Sequence, residues 1–248
     1  MSNEYQRALV IGGSSGVGRE LSLGLAKNGT RTAVAARGAK ALSELKTAAP
    51  EIETIAVDAA ADGVAQDLLA RFNPDLLILV GGHRPKMAAV HELDWDEFSA
   101  AWNSDTKIAF EFTKAALTTP LASGSTFVSF SSGASLGGSP LSGGYAGAKR
   151  MQHFLVNYGQ READRMDLGL RFMSIIPKQL IAGTEIGKMA SAAYAETAGV
   201  PVEKFMGQWE HPLTAELANA HLIDLLGRAP EAGASAFAIS GGGAEAMA

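Results

Sequence analysis

Ser132, Tyr145 and Lys149 are the residues whose types and spacing suit proton transfer. The run Ser125-Thr126-Phe127-Val128-Ser129-Phe130 has the β-branched and aromatic alternation of a strand that ends at the serines. Glycines and Pro140 then make a loop, and from Tyr145 onward the pattern becomes helical. Tyr145 and Lys149 are four apart, so on a helix they share a face, one turn above the other. A free tyrosine has a pKa of about 10 and exchanges protons poorly near neutrality. An ammonium one helical turn away favours the phenolate, and a serine hydroxyl beside the phenol can hold a carbonyl or alkoxide oxygen. Taken alone, such a pair also fits an ordinary solvated helix face. Its weight depends on the elements around it.

Those elements begin with Ala8-Leu9-Val10-Ile11, a short apolar run that suits a buried strand. Gly12, Gly13, Ser14, Ser15, Gly16, Val17 and Gly18 follow, and the leucines after Arg19 fall at helical spacing. Strand, glycine-rich turn and helix start, in that order, let a backbone approach a pyrophosphate at a helix N-terminus. Thr32 to Ala36 is the second strand candidate and stops at Arg37, with Lys40 close behind. A site that selects NAD places an acid there, on the ribose 2′-hydroxyl. Ala36 is neutral and Arg37 would welcome a 2′-phosphate, so NADP(H) is favoured over NAD(H). The next strand, Ile52 to Val57, closes on Asp58, which suits an adenine amino group or a cap for the following helix. Asp75 to Val80 is a further strand, with Gly81 and Gly82 at its C-terminal end, where open α/β sheets hold their ligands. His83 follows directly, a structural residue or a substrate contact.

Leu93 to about Leu117 reads as one long helix, with Trp95, Phe98 and Trp102 as a core or subunit stripe. Asn103 is its polar exception and would anchor a water or a core hydrogen bond. The helix of Tyr145 continues to about Asp167, and Leu170 to Ile176 is a strand ending at Pro177. Residues 179–212 are irregular, with methionines and aromatics, and suit either a lid over a substrate or small helices at a subunit interface. A helix over Ala215 to Leu226 and a strand over Ala236 to Ile239 complete the pattern. Alternation without a break predicts one domain over 1–248, a doubly wound, mostly parallel sheet flanked by helices. A net charge of −5 argues against nucleic acid as a partner, and the absence of cysteine removes thiolate metal sites. Met1 to Arg7 lacks a signal pattern and Leu76 to Val80, the longest aliphatic run, is too short to span a bilayer. A cytoplasmic protein without membrane contact is expected.

The glycine motif, Asn103 in the long helix, Ser132 and Tyr145-x-x-x-Lys149, in this order and spacing, resemble the classical short-chain dehydrogenase/reductase family along essentially the whole chain. The resemblance implies a Rossmann fold, a nicotinamide cofactor and a catalytic set of Asn103, Ser132, Tyr145 and Lys149. In the family the tyrosine gives or takes the proton on the substrate oxygen, and the serine orients that oxygen. The lysine binds the nicotinamide ribose and makes the tyrosine a better acid, and the asparagine holds a water that relays protons to the lysine. A homotetramer or homodimer through the helices of Leu93–Leu117 and Tyr145–Asp167 is also implied.

Several positions depart from the family pattern. Ile11 replaces the usual threonine, and Leu79-Val80-Gly81-Gly82 replaces Asn-Asn-Ala-Gly, which removes a bracing asparagine. Pro177-Lys178 replaces Pro-Gly, with Leu180 following, and the threonine that touches carboxamide and phosphates is displaced to Thr184. The expected activity interconverts a ketone or aldehyde and an alcohol, with an apolar small molecule as substrate. The departures also allow a nucleotide-binding sensor without redox turnover.

Overall fold

The computed structural model describes residues 5–119, 121–228 and 235–247, so the first four residues of the segment read for a signal pattern lie outside it. In chain order, β1 (Arg7–Ile11), α1 (Gly16–Lys27), β2 (Arg31–Ala36), α2 (Ala39–Ala48), β3 (Glu53–Ala56), α3 (Val64–Phe72) and β4 (Leu76–Leu79) form the first half. The second half has α4 (Trp95–Ala101), α5 (Lys107–Thr118), β5 (Thr126–Phe130), the short α6 (Ala134–Gly137), α7 (Gly143–Arg165) and β6 (Arg171–Pro177). It closes with α8 (Glu185–Ala198), α9 (Val202–Met206), α10 (Ala215–Leu226), β7 (Ala236–Ser240) and β8 (Gly243–Met247). The sheet order is β3-β2-β1-β4-β5-β6-β7-β8, parallel except for the β7–β8 pair. The expected doubly wound, mostly parallel sheet is the observed one. Beyond the strand expected over Ala236 to Ile239 the chain turns back into a further strand, β8, antiparallel to β7.

Period-two alternation along the strands sends successive side chains to opposite faces. Val10, Val34, Ile78, Val128 and Ile175 meet Leu21 and Leu25 of α1, Leu45 of α2 and Leu222 of α10 on one face. Leu9, Ala33, Leu77, Phe127 and Phe172 meet Leu68 of α3, Phe112 of α5 and Val156 of α7 on the other. Each large apolar side chain buried there contributes about 1.5–3 kcal/mol against exposure. This two-sided core fixes the strands, and their C-terminal ends share one edge.

The helix expected over Leu93–Leu117 is in three parts. Asp94 caps α4 by accepting from the Glu97 N–H at 2.8 Å, with Glu97 Oε2 accepting from the Asp94 N–H in return. A π-helical segment, Trp102–Thr106, then separates α4 from α5. Trp95 is 74 % exposed, so the Trp95 end of the aromatic stripe is not core. Residues 179–212 are also more regular than their composition suggested: α8 and α9 are joined by the αL residue Gly199 and the extended N-cap Pro201.

Candidate active site

The strand that brings the serines ends at Phe130, and Ser131 then bonds to α7: its Oγ donates to the Lys149 carbonyl at 2.7 Å. The strand end is thereby fixed to the helical turn of Lys149. Ser132 follows, half-buried, its Oγ accepting from the Ala134 N–H at 3.2 Å. That bond uses a lone pair and leaves the hydroxyl proton for another acceptor. The Gly133 N–H donates to the Pro177 carbonyl at 2.7 Å, so the ends of β5 and β6 are also tied.

Tyr145 lies in the first turn of α7, half-buried. A Cβ at Gly144 would run into the Phe98 carbonyl, so that glycine lets α7 settle on α4. Lys149 Nζ lies 5.5 Å from the Tyr145 ring centre and 3.4 Å from the Phe130 carbonyl oxygen. It is 3.0 Å from Oδ2 of Asp105, a side chain with no exposure, while the lysine side chain retains 7 %. Burial by itself pushes the Lys149 ammonium down, but the Asp105 carboxylate and the Tyr145 phenolate form outweigh it and hold Lys149 above the ordinary lysine value.

Asn103, expected at this place, is exposed on the far side of the turn. The π-helical segment winds more residues into its turn than an α-helix, which rotates Asn103 outward and Asp105 inward. Asp105 Oδ1 accepts from the His83 N–H at 2.6 Å, and the Asp105 carbonyl accepts from Gln152 Nε2 at 3.2 Å. Asp105 therefore joins the loop after β4, α7 and Lys149. The sequence carries a signal for it: Asp105, Ile108, Ala109 and Phe112 fall on one helical stripe, and the last three are core. A carboxylate at the head of an apolar stripe needs a buried partner.

The glycine segment forms the adjoining crevice. Gly12 has φ +87°, open to glycine with little strain, and a Cβ on it would run into Gly81. The N–H groups of Val80 and Gly81 donate to the Ile11 carbonyl at 3.0 and 2.9 Å, locking the loops after β1 and β4 together. Ser14 is half-buried, and exposed Ser15 is the N-cap of α1 without a side-chain cap bond. Val17 and Gly18 are buried in the first turn. A Cβ at Gly16 would begin 3.5 Å from the Thr184 methyl, so the displaced threonine does face this loop. Its Oγ1 caps α8, accepting from the Gly187 N–H at 3.0 Å and donating to the Ile181 carbonyl at 2.8 Å. Pro177 is buried and Leu180 half-buried on the approach to it. A narrow backbone cradle with a free N-cap hydroxyl at a helix N-terminus fits a dinucleotide pyrophosphate.

Arg37 is exposed at the end of β2 beside half-buried Ala36. Asp58, exposed at the end of β3, accepts from the Ala60 N–H at 3.0 Å, so one of its oxygens serves a local turn. His83 enters the site through its backbone. Helix α8 reaches the loop ahead of Tyr145 through a short Tyr194–Ser139 hydroxyl contact. Phe205 stacks on Tyr194 at 5.9 Å, and Trp209 meets Phe205 edge-on at 6.0 Å. Neither the Ser139–Tyr194 contact nor the bond of Gln152 to Asp105 has a sequence signature.

The family model for short chain dehydrogenases matches residues 6–193. No curated protein matches the chain significantly. Among solved structures, a variant of actinorhodin polyketide ketoreductase with NADPH is 22% identical, with a TM-score of 0.80, over 97% of this chain and 98% of that one. NAD+-bound xylitol dehydrogenase is 18% identical at a TM-score of 0.77, over 90% and 92%. A short chain dehydrogenase from Burkholderia cenocepacia J2315 in complex with NADP is 17% identical at 0.72, over 97% and 90%. At these identities the structures show a shared fold.

Proposed function

Because the chain belongs to the short chain dehydrogenase family, and is a nicotinamide-dependent oxidoreductase, we propose that it uses NADP(H) to interconvert a ketone or aldehyde and an alcohol, with Tyr145 moving the proton. The observation that carries this reading is the buried Lys149 ammonium 5.5 Å from the Tyr145 ring. A bound nicotinamide supplies or accepts the hydride. The chain's own residues do the rest. Ser132 donates its free proton to the substrate oxygen and orients it; Tyr145 gives or takes the proton there; and Lys149 favours the phenolate that forms. Gly12, Ser14, Ser15, Gly16, Val17 and Gly18 hold the pyrophosphate, with Gly81, Gly82, Pro177, Leu180 and Thr184 walling the crevice. Arg37 meets the 2′-phosphate, and the free oxygen of Asp58 reaches the adenine. Asp105 replaces Asn103 in the set.

The aromatic cluster of Tyr194, Phe205 and Trp209, anchored to the loop ahead of Tyr145, supports α8 and α9 as a lid for an apolar carbonyl compound. Phe110 on α5 and Phe154 and Tyr158 on α7 are each about half exposed, which supports association of copies through these helices. Among the described residues, no helix is long and apolar enough to cross a membrane.

The test is a fluorescence titration with NADPH and NADH, followed by a carbonyl screen with Tyr145→Phe as control. Tighter NADPH binding and carbonyl reduction lost in Tyr145→Phe are expected. Tighter NADH binding would overturn the assignment of Arg37, and full reduction by Tyr145→Phe would overturn that of Tyr145.

A further inference from the structure

Asp105 and Lys149 form an ion pair with both side chains buried, 0 % and 7 % exposed, and it lies inside the site. Two charges taken out of water are costly unless each neutralises the other. An amide at position 105 would accept a hydrogen bond yet supply no counter-charge. We propose that Asp105 is a positioning residue that keeps Lys149 protonated and aimed beside Tyr145, while its second carboxylate oxygen latches the loop after β4.

Three features hold Asp105 in place. The His83 N–H fixes Oδ1 at 2.6 Å, Gln152 holds the Asp105 carbonyl at 3.2 Å, and Gly82 leaves the space that the carboxyl occupies. The loop that lost the family's bracing asparagine is thus braced from the helix side. The groups facing Lys149 are few. Asp105 comes from the π-helical segment, Tyr145 from its own helix, and β5 offers the uncharged Phe130 carbonyl. His83, the residue of the loop after β4 that bonds Asp105, does so through its backbone, and nearby Lys107 turns away to Asp62 at 2.8 Å. With Asp105 neutral, burial is the dominant influence left on Lys149, and it works against the charged form. Tyr145 would then face a neutral amine over part of the working pH range. This role rests on the reading of Tyr145 and Lys149 as the proton-moving pair.

The decisive measurement is an NMR titration of protein labelled with ε-13C-lysine, with the Lys149 signal assigned by its loss in Lys149→Met. In the unaltered protein Lys149 should keep its proton to higher pH than a free lysine. In Asp105→Asn it should lose it at lower pH than in the unaltered protein, with an acid constant at least tenfold larger. The alkaline limb of kcat should move to lower pH with it. Asp105→Ser is read in the same way if Asp105→Asn does not fold. A folded variant whose Lys149 titrates as before, or whose kcat falls equally at every pH, overturns the role. The NMR titration needs no turnover. A shifted Lys149 in a protein that reduces no carbonyl would therefore sink the proposed reaction and leave the charge role standing, whereas normal turnover with an unshifted Lys149 would sink the charge role alone.

Discussion

Gly82 and Asp105 are sterically matched: a Cβ at Gly82 would begin 2.5 Å from Asp105 Oδ2 and 2.9 Å from its Cγ. The carboxyl therefore fits only against a glycine. Gly82 is the one position of Leu79-Val80-Gly81-Gly82 that keeps the residue of the family's Asn-Asn-Ala-Gly, and the acid on the π-helical segment needs the room that this glycine leaves.

Gly82→Ala should accordingly displace Asp105 from Lys149. Overpacking of this kind costs about 1–3 kcal/mol, several degrees of Tm in a chain of this size. The effect on kcat should be larger, a tenfold fall or more, because the ion pair moves. Calorimetry and steady-state kinetics on the same preparation check both. A fall in Tm with unchanged kcat would mean that the carboxylate does not set the lysine.

Arg37→Ala should weaken NADPH and leave NADH nearly unchanged. Arg37 is exposed and holds no ion pair among the described residues, so its guanidinium is free for an anion. A hydrogen bond to a charged group contributes about 1.5–3 kcal/mol, which is a loss of roughly tenfold or more in NADPH affinity. Equal losses for the two cofactors in parallel fluorescence titrations would place the 2′-phosphate elsewhere.

The sheet was legible in the sequence because short aliphatic runs such as Leu76–Leu79 alternate with amphipathic segments, and that alternation has few topological solutions. Ser132, Tyr145 and Lys149 were legible because spacing along a strand end and a helix sets where they lie. Asn103 was misplaced for a local reason. A π-helical segment changes the angle per residue, and over Trp102–Thr106 the stripe passes to Asp105. No single residue there marks the change of winding. The helices of residues 179–212 were only one of two readings because α8 is rich in alanine and has few apolar side chains to show a period.

Phe154→Ser combined with Tyr158→Ser should break the association of copies. The two rings meet at 4.6 Å on the outer face of α7 and are 48 % and 52 % exposed, a large aromatic area to leave in water. Sedimentation velocity should show a dimer or tetramer becoming a monomer in the double variant, with far-UV circular dichroism unchanged. An unaltered protein that is already monomeric at micromolar concentration would remove these helices as an interface.

His153 should make the fold acid-sensitive. Its imidazole is half-buried on α7, Nδ1 lacks a partner, and burial together with the neighbouring Arg150 holds it below the ordinary histidine value. The unfolded chain therefore takes up a proton at a higher pH than the folded one does. As pH falls through the unfolded value of about 6.5, protonation favours the unfolded state and stability declines. The decline ends once pH has dropped below the folded value, where both states carry the proton. His153→Gln removes this contribution, so the urea midpoint should vary less between about pH 5 and 7.5. His91→Gln, at an exposed position, is the control and should follow the unaltered protein. If His153→Gln and His91→Gln give the same pH dependence as the unaltered chain, the buried imidazole is not the source of any acid sensitivity.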